Sequence, residues 1–274
     1  MIKLVYVVDR GADVSEAEFY DYWLNKHGPL VRSHAKAIRA KKYVQSHLID
    51  TPANEALRSA RGMLPPVAGI TEVWWDSLED FQAAYATAEG RAASAVLAAD
   101  ENKFINIKRS QVFLTQEHTI FDYTDKKPLG DQSIKCTYLL TKRDDLTLAA
   151  CHETWLKDHG PFVRGFADVS NLAKYIQSHT VAPEINASIV EDRGFAAALD
   201  GITEVWIADP SASHDSDEAR KASEALVEDE RRARGLASAR PTIAWVPEPE
   251  PGLLVVLQDE QEEPESMIKQ AIDR

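Results

Sequence analysis

The chain has 274 residues, enough for two domains that each bury a core, and its 44% apolar and 27% charged composition is that of a globular protein in water. A net charge of -13 argues against nucleic-acid and anionic-membrane partners, which favour basic patches. Cys136 and Cys151 lack the CxxC spacing of a zinc site, no stretch approaches the roughly 20 apolar residues of a membrane span, and the N-terminus shows no secretory signal, so the expected compartment is the cytoplasm.

In chain order, residues 3–9 (KLVYVVD) are β-branched and aromatic and read as a strand. Ser15 and Glu18 fit a capping box that opens a helix carrying Phe19, Tyr22 and Trp23. Gly28-Pro29 is expected to interrupt that helix, because proline lacks the donor and disfavours helix just before it. Residues 42–49 and 69–75 read as strands, 78–104 as an alanine-rich helix, and 111–115 as a fourth strand. The second half follows suit: strand 135–141, helix 146–168, strands 174–181 and 202–208, helix 215–235, strand 242–246. Residues 50–68 and 182–200 read as long loops, of the length that is often functional. Residues 252–258 are a candidate edge strand after a Pro/Glu spacer.

The halves repeat one another. Trp23, His27-Gly28-Pro29, Tyr43, Gln45-Ser46-His47 and Gly69-Ile70-Thr71-Glu72-Val73-Trp74 recur 132 positions later as Trp155, His159-Gly160-Pro161, Tyr175, Gln177-Ser178-His179 and Gly201-Ile202-Thr203-Glu204-Val205-Trp206. A constant offset across three separated segments means duplication. Each copy has the βαββαβ order of a ferredoxin-like module. Such a sheet leaves one face bare, and the second copy's sheet can cover it, so the expected class is α+β, two fused repeats forming an intramolecular barrel. The expected organisation is repeat one at 1–120, a linker at 121–132, repeat two at 133–247 and an acidic tail at 248–274.

Alternation puts Tyr43, Gln45 and His47 on one face of their strand and Val44 and Ser46 on the other. With the apolar side assigned to the helices, the polar row is expected to point into the barrel, and Tyr175, Gln177 and His179 likewise. Glu72 with Trp74, and Glu204 with Trp206, share faces. A buried carboxylate near an imidazole would make an acid–base pair. The candidate catalytic groups are therefore His27, His47, His159, His179, Glu72 and Glu204. The candidate substrate contacts are Tyr22, Tyr43, Gln45, Trp74, Tyr175, Gln177 and Trp206. Beside each stands a bland alternative: core packing for Trp23 and Trp155, capping for His27 and His159, solvation for Arg32 and Arg164.

The W-x3-HGP element at Trp23 to Pro29, the Tyr43-x-Gln45-x-His47 strand and the GITEVW strand, each present twice, resemble the EthD family of dimeric α/β barrels. The resemblance spans residues 1–118 and 133–246. It implies a ferredoxin-like module whose usual homodimer is fused here, with the family's histidines at His27, His159, His47 and His179. Its members include a protein associated with ethyl tert-butyl ether degradation and fungal polyketide-tailoring decarboxylases and dehydratases. The expected function is then a cofactor-independent lyase of dehydratase or decarboxylase type, with no metal, using histidine acid–base catalysis on a small hydrophobic, aromatic or polyketide-like catabolite. Haem- or metal-dependent oxidation, through two histidines and a glutamate per copy, and a non-catalytic carrier stand as alternatives. A homodimer of the fused barrel is a further expectation, and the active copy stays open.

Overall fold

The computed structural model describes residues 1–213, 216–234, 240–245 and 254–256. The first repeat contains β1 (Ile2–Val8), α1 (Glu16–Tyr22), a π-helical turn (Trp23–His27), α2 (Gly28–His34), β2 (Lys42–His47), α3 (Pro52–Arg61), β3 (Gly69–Trp75), α4 (Leu78–Ala86), α5 (Ala88–Glu101) and β4 (Gln111–Asp122). The second contains β5 (Ile134–Leu140), α6 (Leu148–Thr154), a π-helical turn (Trp155–His159), α7 (Gly160–Gly165), β6 (Leu172–Thr180), α8 (Pro183–Arg193), β7 (Gly201–Ile207), α9 (Asp217–Arg234) and β8 (Arg240–Trp245), followed by β9 (Leu254–Val256).

One antiparallel sheet carries all the strands in the order β8-β5-β7-β6-β4-β1-β3-β2-β9. Each repeat supplies a ferredoxin-like order, and β4 joins them by pairing with β1 through its first half and β6 through its second. In the second repeat the same two pairings are divided between β8, which pairs with β5, and β9, which pairs with β2. The segment expected as an edge strand is the last strand of the sheet, paired with β2 on one side. β4 also runs on to Asp122, so Phe121 and Asp122 belong to the sheet and not to the linker.

The faces are the reverse of the sequence-based assignment. Ile2, Leu4, Val8, Tyr43, Val73 and Trp75 pack with the helices, whereas Val5, Val7, Ile70, Phe113, Leu139 and Ile202 form a separate core inside the barrel. Tyr43, Gln45 and His47 therefore face the helical layer, and Val44 and Ser46 face inward. The helical layer can take the polar row because helix backbone supplies partners for it.

At the barrel centre lies a buried ring of charges. Lys3 Nζ is 2.7 Å from Glu72 Oε1 and 2.6 Å from Glu204 Oε2, and Lys135 Nζ is 2.7 Å from Glu72 Oε2 and 2.5 Å from Glu204 Oε1. Each glutamate bridges both lysines, and each lysine bridges both repeats. Burial alone would lower the pKa of Lys3, but Glu204, Glu72 and Glu117 outweigh it and hold the ammonium charged. Burial would likewise raise Glu204; Lys135 and Lys3 override it and keep the carboxylate ionised.

Two expected loops contain helices, α3 and α8, each started by proline at the first turn and ended by a left-handed glycine, Gly62 (φ 64°) and Gly194 (φ 75°). The long helix expected over 78–104 breaks at Thr87, whose hydroxyl caps α5 by accepting from Gly90 N. The Gly of each GITEVW strand has a steric cause. A Cβ on Gly69 would lie 2.5 Å from the Ser46 carbonyl oxygen and 2.7 Å from the Trp23 ring, and one on Gly201 would meet Ser178 and Trp155 in the same way. Gly69→Ala is expected to cost about 1–3 kcal/mol, as overpacking does, read from urea unfolding. Unchanged stability would show that Trp23 can move aside.

Candidate active site

The site starts at the helix break. Instead of stopping at Gly28-Pro29, the chain takes one π turn, so that Gly28 N–H donates to Trp23 O five residues back, and α2 follows directly with proline in its first turn. Such π turns occur often at functional sites. Gln45 Nε2 also donates to Trp23 O, at 2.9 Å, and to Tyr43 Oη, at 2.8 Å. Gln45 Oε1 meets His47 Nε2 at 2.9 Å, and the His47 ring stacks on Trp23 with centroids 4.6 Å apart. Tyr43, Gln45 and His47 are thus one hydrogen-bonded chain docked on the helix.

The second repeat reproduces it. Gln177 Nε2 donates to Trp155 O and Tyr175 Oη, both at 2.9 Å, and its Oε1 meets His179 Nε2 at 3.0 Å. His179 stacks on Trp155 and on His152, which stands where the first repeat has Tyr20.

The carboxylate beside an imidazole is not the one expected. His27 Nδ1 lies 2.9 Å from Asp100 Oδ2, and His159 Nδ1 lies 2.5 Å from Asp229 Oδ2. Tyr22 Oη donates to the other Asp100 oxygen at 2.6 Å, and Lys103 approaches it at 2.9 Å. Burial opposes ionisation of Asp100, but the hydrogen bonds from Tyr22, Lys103 and His27 outweigh it and hold the carboxyl below its usual range. Glu72 and Glu204 instead face the barrel and contact the lysines. Neither glutamate pairs with a histidine, because the strand alternation that turns His47 toward the helices turns Glu72 away from them.

A cavity lies between the first-repeat sheet and its helices, lined by His27, Tyr43, Trp23, Trp75, Phe104 and Glu101 among others. Its volume is about 50 Å³, enough for roughly four waters at about 10–15 Å³ each and smaller than the about 150 Å³ that holds a benzene ring, so a one-ring ligand enters only as the lining side chains move apart. Tyr43 is buried, which raises its pKa to about 12 and keeps its hydroxyl a neutral donor. Of the other expected contacts, Tyr22 reaches the site through Asp100, whereas Gln45 and His47 lie behind the cavity wall. Trp74 faces the barrel, donating to Glu117 Oε2 at 2.9 Å, and Trp206 lies 5.1 Å from Lys135 Nζ, so neither joins the cavity. The facial arrangement of two histidines and a glutamate is not assembled. Among the described residues, the one triple of close metal-ligand types is Glu72, Glu117 and Glu204, which surrounds Lys3.

Burial lowers the pKa of His47 to about 4, and burial with His152 and His118 lowers that of His179 to about 3. Both rings are neutral in the fold, while unfolded histidine protonates near 6.5. The unfolded chain then binds more protons below that pH, and stability is expected to fall from pH 6.5 down to about 4 for His47 and about 3 for His179. His47→Phe should flatten the upper part of that slope in unfolding curves taken across the range; an unchanged slope would contradict it.

The fold and these paired sites define a fused α/β barrel built from two ferredoxin-like repeats with one His–Asp pair each. The EthD domain model matches residues 12–108 and 143–232, more than half of the chain, and the protein belongs to the EthD family. An ethyl tert-butyl ether degradation (EthD) family protein from Bacillus halodurans C-125 is 19% identical, with 43% of this chain and 99% of that one covered and a TM-score of 0.31. A candidate monooxygenase from Lactobacillus acidophilus NCFM is 8% identical over 89% of this chain and 91% of that one, with a TM-score of 0.41. A dye-decolorizing peroxidase from Bacteroides thetaiotaomicron VPI-5482 is 7% identical over 89% and 92%, with a TM-score of 0.45. A comparison with curated proteins finds no match. Among the described residues no helix is long and apolar enough to cross a membrane.

Proposed function

We propose that the chain is a lyase working by acid–base catalysis on a small, one-ring hydrophobic compound bound in the first-repeat cavity, without a cofactor. The observation that carries this reading is the His27–Asp100 pair opening on an aromatic cavity. Asp100 takes the Nδ1 side of the ring and stabilises the imidazolium, which leaves Nε2 to remove a proton next to a substrate carbonyl. The Tyr43 oxygen already accepts from Gln45, so its own proton is available to the developing oxyanion. The imidazolium returns the proton to the departing hydroxyl, and water leaves. His47 acts by holding Gln45, and through it Tyr43.

The test uses 3-hydroxycyclohexanone, whose dehydration to cyclohexenone is followed by the enone absorption, alongside one-ring β-keto acids for decarboxylation. Turnover above buffer that depends on His27 supports the reading. No turnover of any one-ring β-hydroxy ketone or β-keto acid would remove it. The alternative of a carrier predicts binding without product.

A further inference from the structure

The residues that line the first-repeat cavity all come from the first repeat, and α8, from the second repeat, backs that wall: Ile185, Ile189 and Val190 pack on the first-repeat core, and Phe195 meets Tyr6, a lining residue, edge-on with centroids 6.0 Å apart. Asn186 anchors this helix, its Oδ1 accepting from Leu114 N at 2.9 Å and its Nδ2 donating to Val181 O at 2.8 Å. At the helix end Arg193 donates to Glu101, a cavity residue, and its guanidinium lies 5.4 Å from the Phe195 ring.

The device occurs twice. Arg61, at the end of α3, donates to Glu230 of the second repeat at 2.9 Å and lies 5.6 Å from the ring of Tyr138, the counterpart of Tyr6. Met63 then packs on Trp155 and Leu140 much as Phe195 packs on Tyr6. Each repeat therefore packs a helix and its terminal arginine against the other's core.

Among the described residues that line the cavity, Glu101 is the one carboxylate, and none is a lysine or arginine. Burial pushes its carboxyl up, and Arg193 is the first of the charges that oppose this. A carboxylate accepts hydrogen bonds and, while ionised, donates none. Facing aromatic walls, it favours an uncharged ligand with a hydroxyl to donate. A ligand carboxylate would meet like charge in a low dielectric.

We propose that Arg193, supplied by the opposite repeat at the end of α8, is a positioning residue that holds Glu101 so that the cavity selects uncharged, hydroxyl-bearing rings. This rests on the reading of that cavity as the substrate site. It narrows the class from acids, as decarboxylation would need, to neutral hydroxylated rings.

The test is calorimetric titration of the intact chain with phenol, anisole and benzoate. Phenol is expected to bind about tenfold more tightly than anisole, from a hydrogen bond to a charged group, and benzoate more weakly than either. Arg193→Met should bring the phenol-to-anisole ratio toward one while anisole binding changes little, and Arg193→Lys should restore most of it; a merely structural role would weaken both ligands alike. If Arg193→Met does not fold, the isosteric Glu101→Gln is expected to flatten the ratio in the same way. Equal binding of phenol and anisole, tightest binding of benzoate, or a ratio untouched by both variants would overturn the inference. Leu97→Trp, which fills the cavity, separates the two levels. Binding that it abolishes but that shows the wrong rank order overturns the inference alone, whereas binding it leaves unchanged, or no binding of any probe, overturns the cavity reading with it.

Discussion

Lys3→Met is expected to destabilise the fold by about 3–5 kcal/mol, the range for removing one partner from a buried ion pair. The loss is not that of a single contact. Lys3 is fully buried and touches Glu72, Glu204 and Glu117, so its removal leaves Glu72 and Glu204, both almost without access to water, to share Lys135 alone and takes the ammonium away from Glu117. Glu204→Gln on top of Lys3→Met should cost less than the sum of the two single changes, because each relieves the charge the other strands. Urea unfolding of the two single variants and the double variant measures all three numbers. A loss below about 1 kcal/mol for Lys3→Met would mean that the ring does not hold the barrel together.

His27→Ala is expected to lower turnover about 10²–10⁴-fold, the usual contribution of a positioned general base, with the urea midpoint close to that of the parent. Asp100→Asn should lose part of that rate, because the amide can no longer stabilise the imidazolium. Its counterpart at His159 gives a comparison within one molecule. His27→Ala retaining full turnover would move the chemistry to the second repeat or out of these pockets.

Much of this architecture is legible in the residues. The constant offset between Trp23 and Trp155, His27 and His159, and Gly69 and Gly201 marks the duplication, and strand alternation places Tyr43, Gln45 and His47 together. The face they occupy is not legible, because a row of polar side chains suggests the wetter side of a sheet. Here the π turn at Trp23 exposes a carbonyl that binds the Gln45 amide, so the helical side is the better-satisfied one. The lysines do carry a signal: Lys3 and Lys135 stand on the same strand faces as Val5, Val7 and Leu139, where a lone charge repeated at the same offset asks for a partner. Asp100 and Asp229 are hidden for another reason. They lie 129 positions apart, not 132, since the helices that carry them differ in length before that point. Arg61-Gly62 and Arg193-Gly194 keep the offset, but α8 has almost no amphipathic contrast, and α3 sets its charges against alanines and a single leucine.

The asymmetries point to divergence around a retained centre. Tyr22, which donates to Asp100, is replaced by Thr154, and Tyr20, which stacks on His47, is replaced by His152. The pairs His27–Asp100 and His159–Asp229 survive in both copies. Two retained His–Asp pairs in different surroundings are the simplest outcome of such a history.

The most direct measurement is a crystal structure of the intact chain with cyclohexenone, the product of the proposed dehydration, bound to it. The ring is expected between Trp75, Phe104 and Tyr43, with its oxygen or reacting carbon facing His27 Nε2. Ligand density confined to the barrel interior beside Trp74 and Glu72, with none at His27, would contradict it.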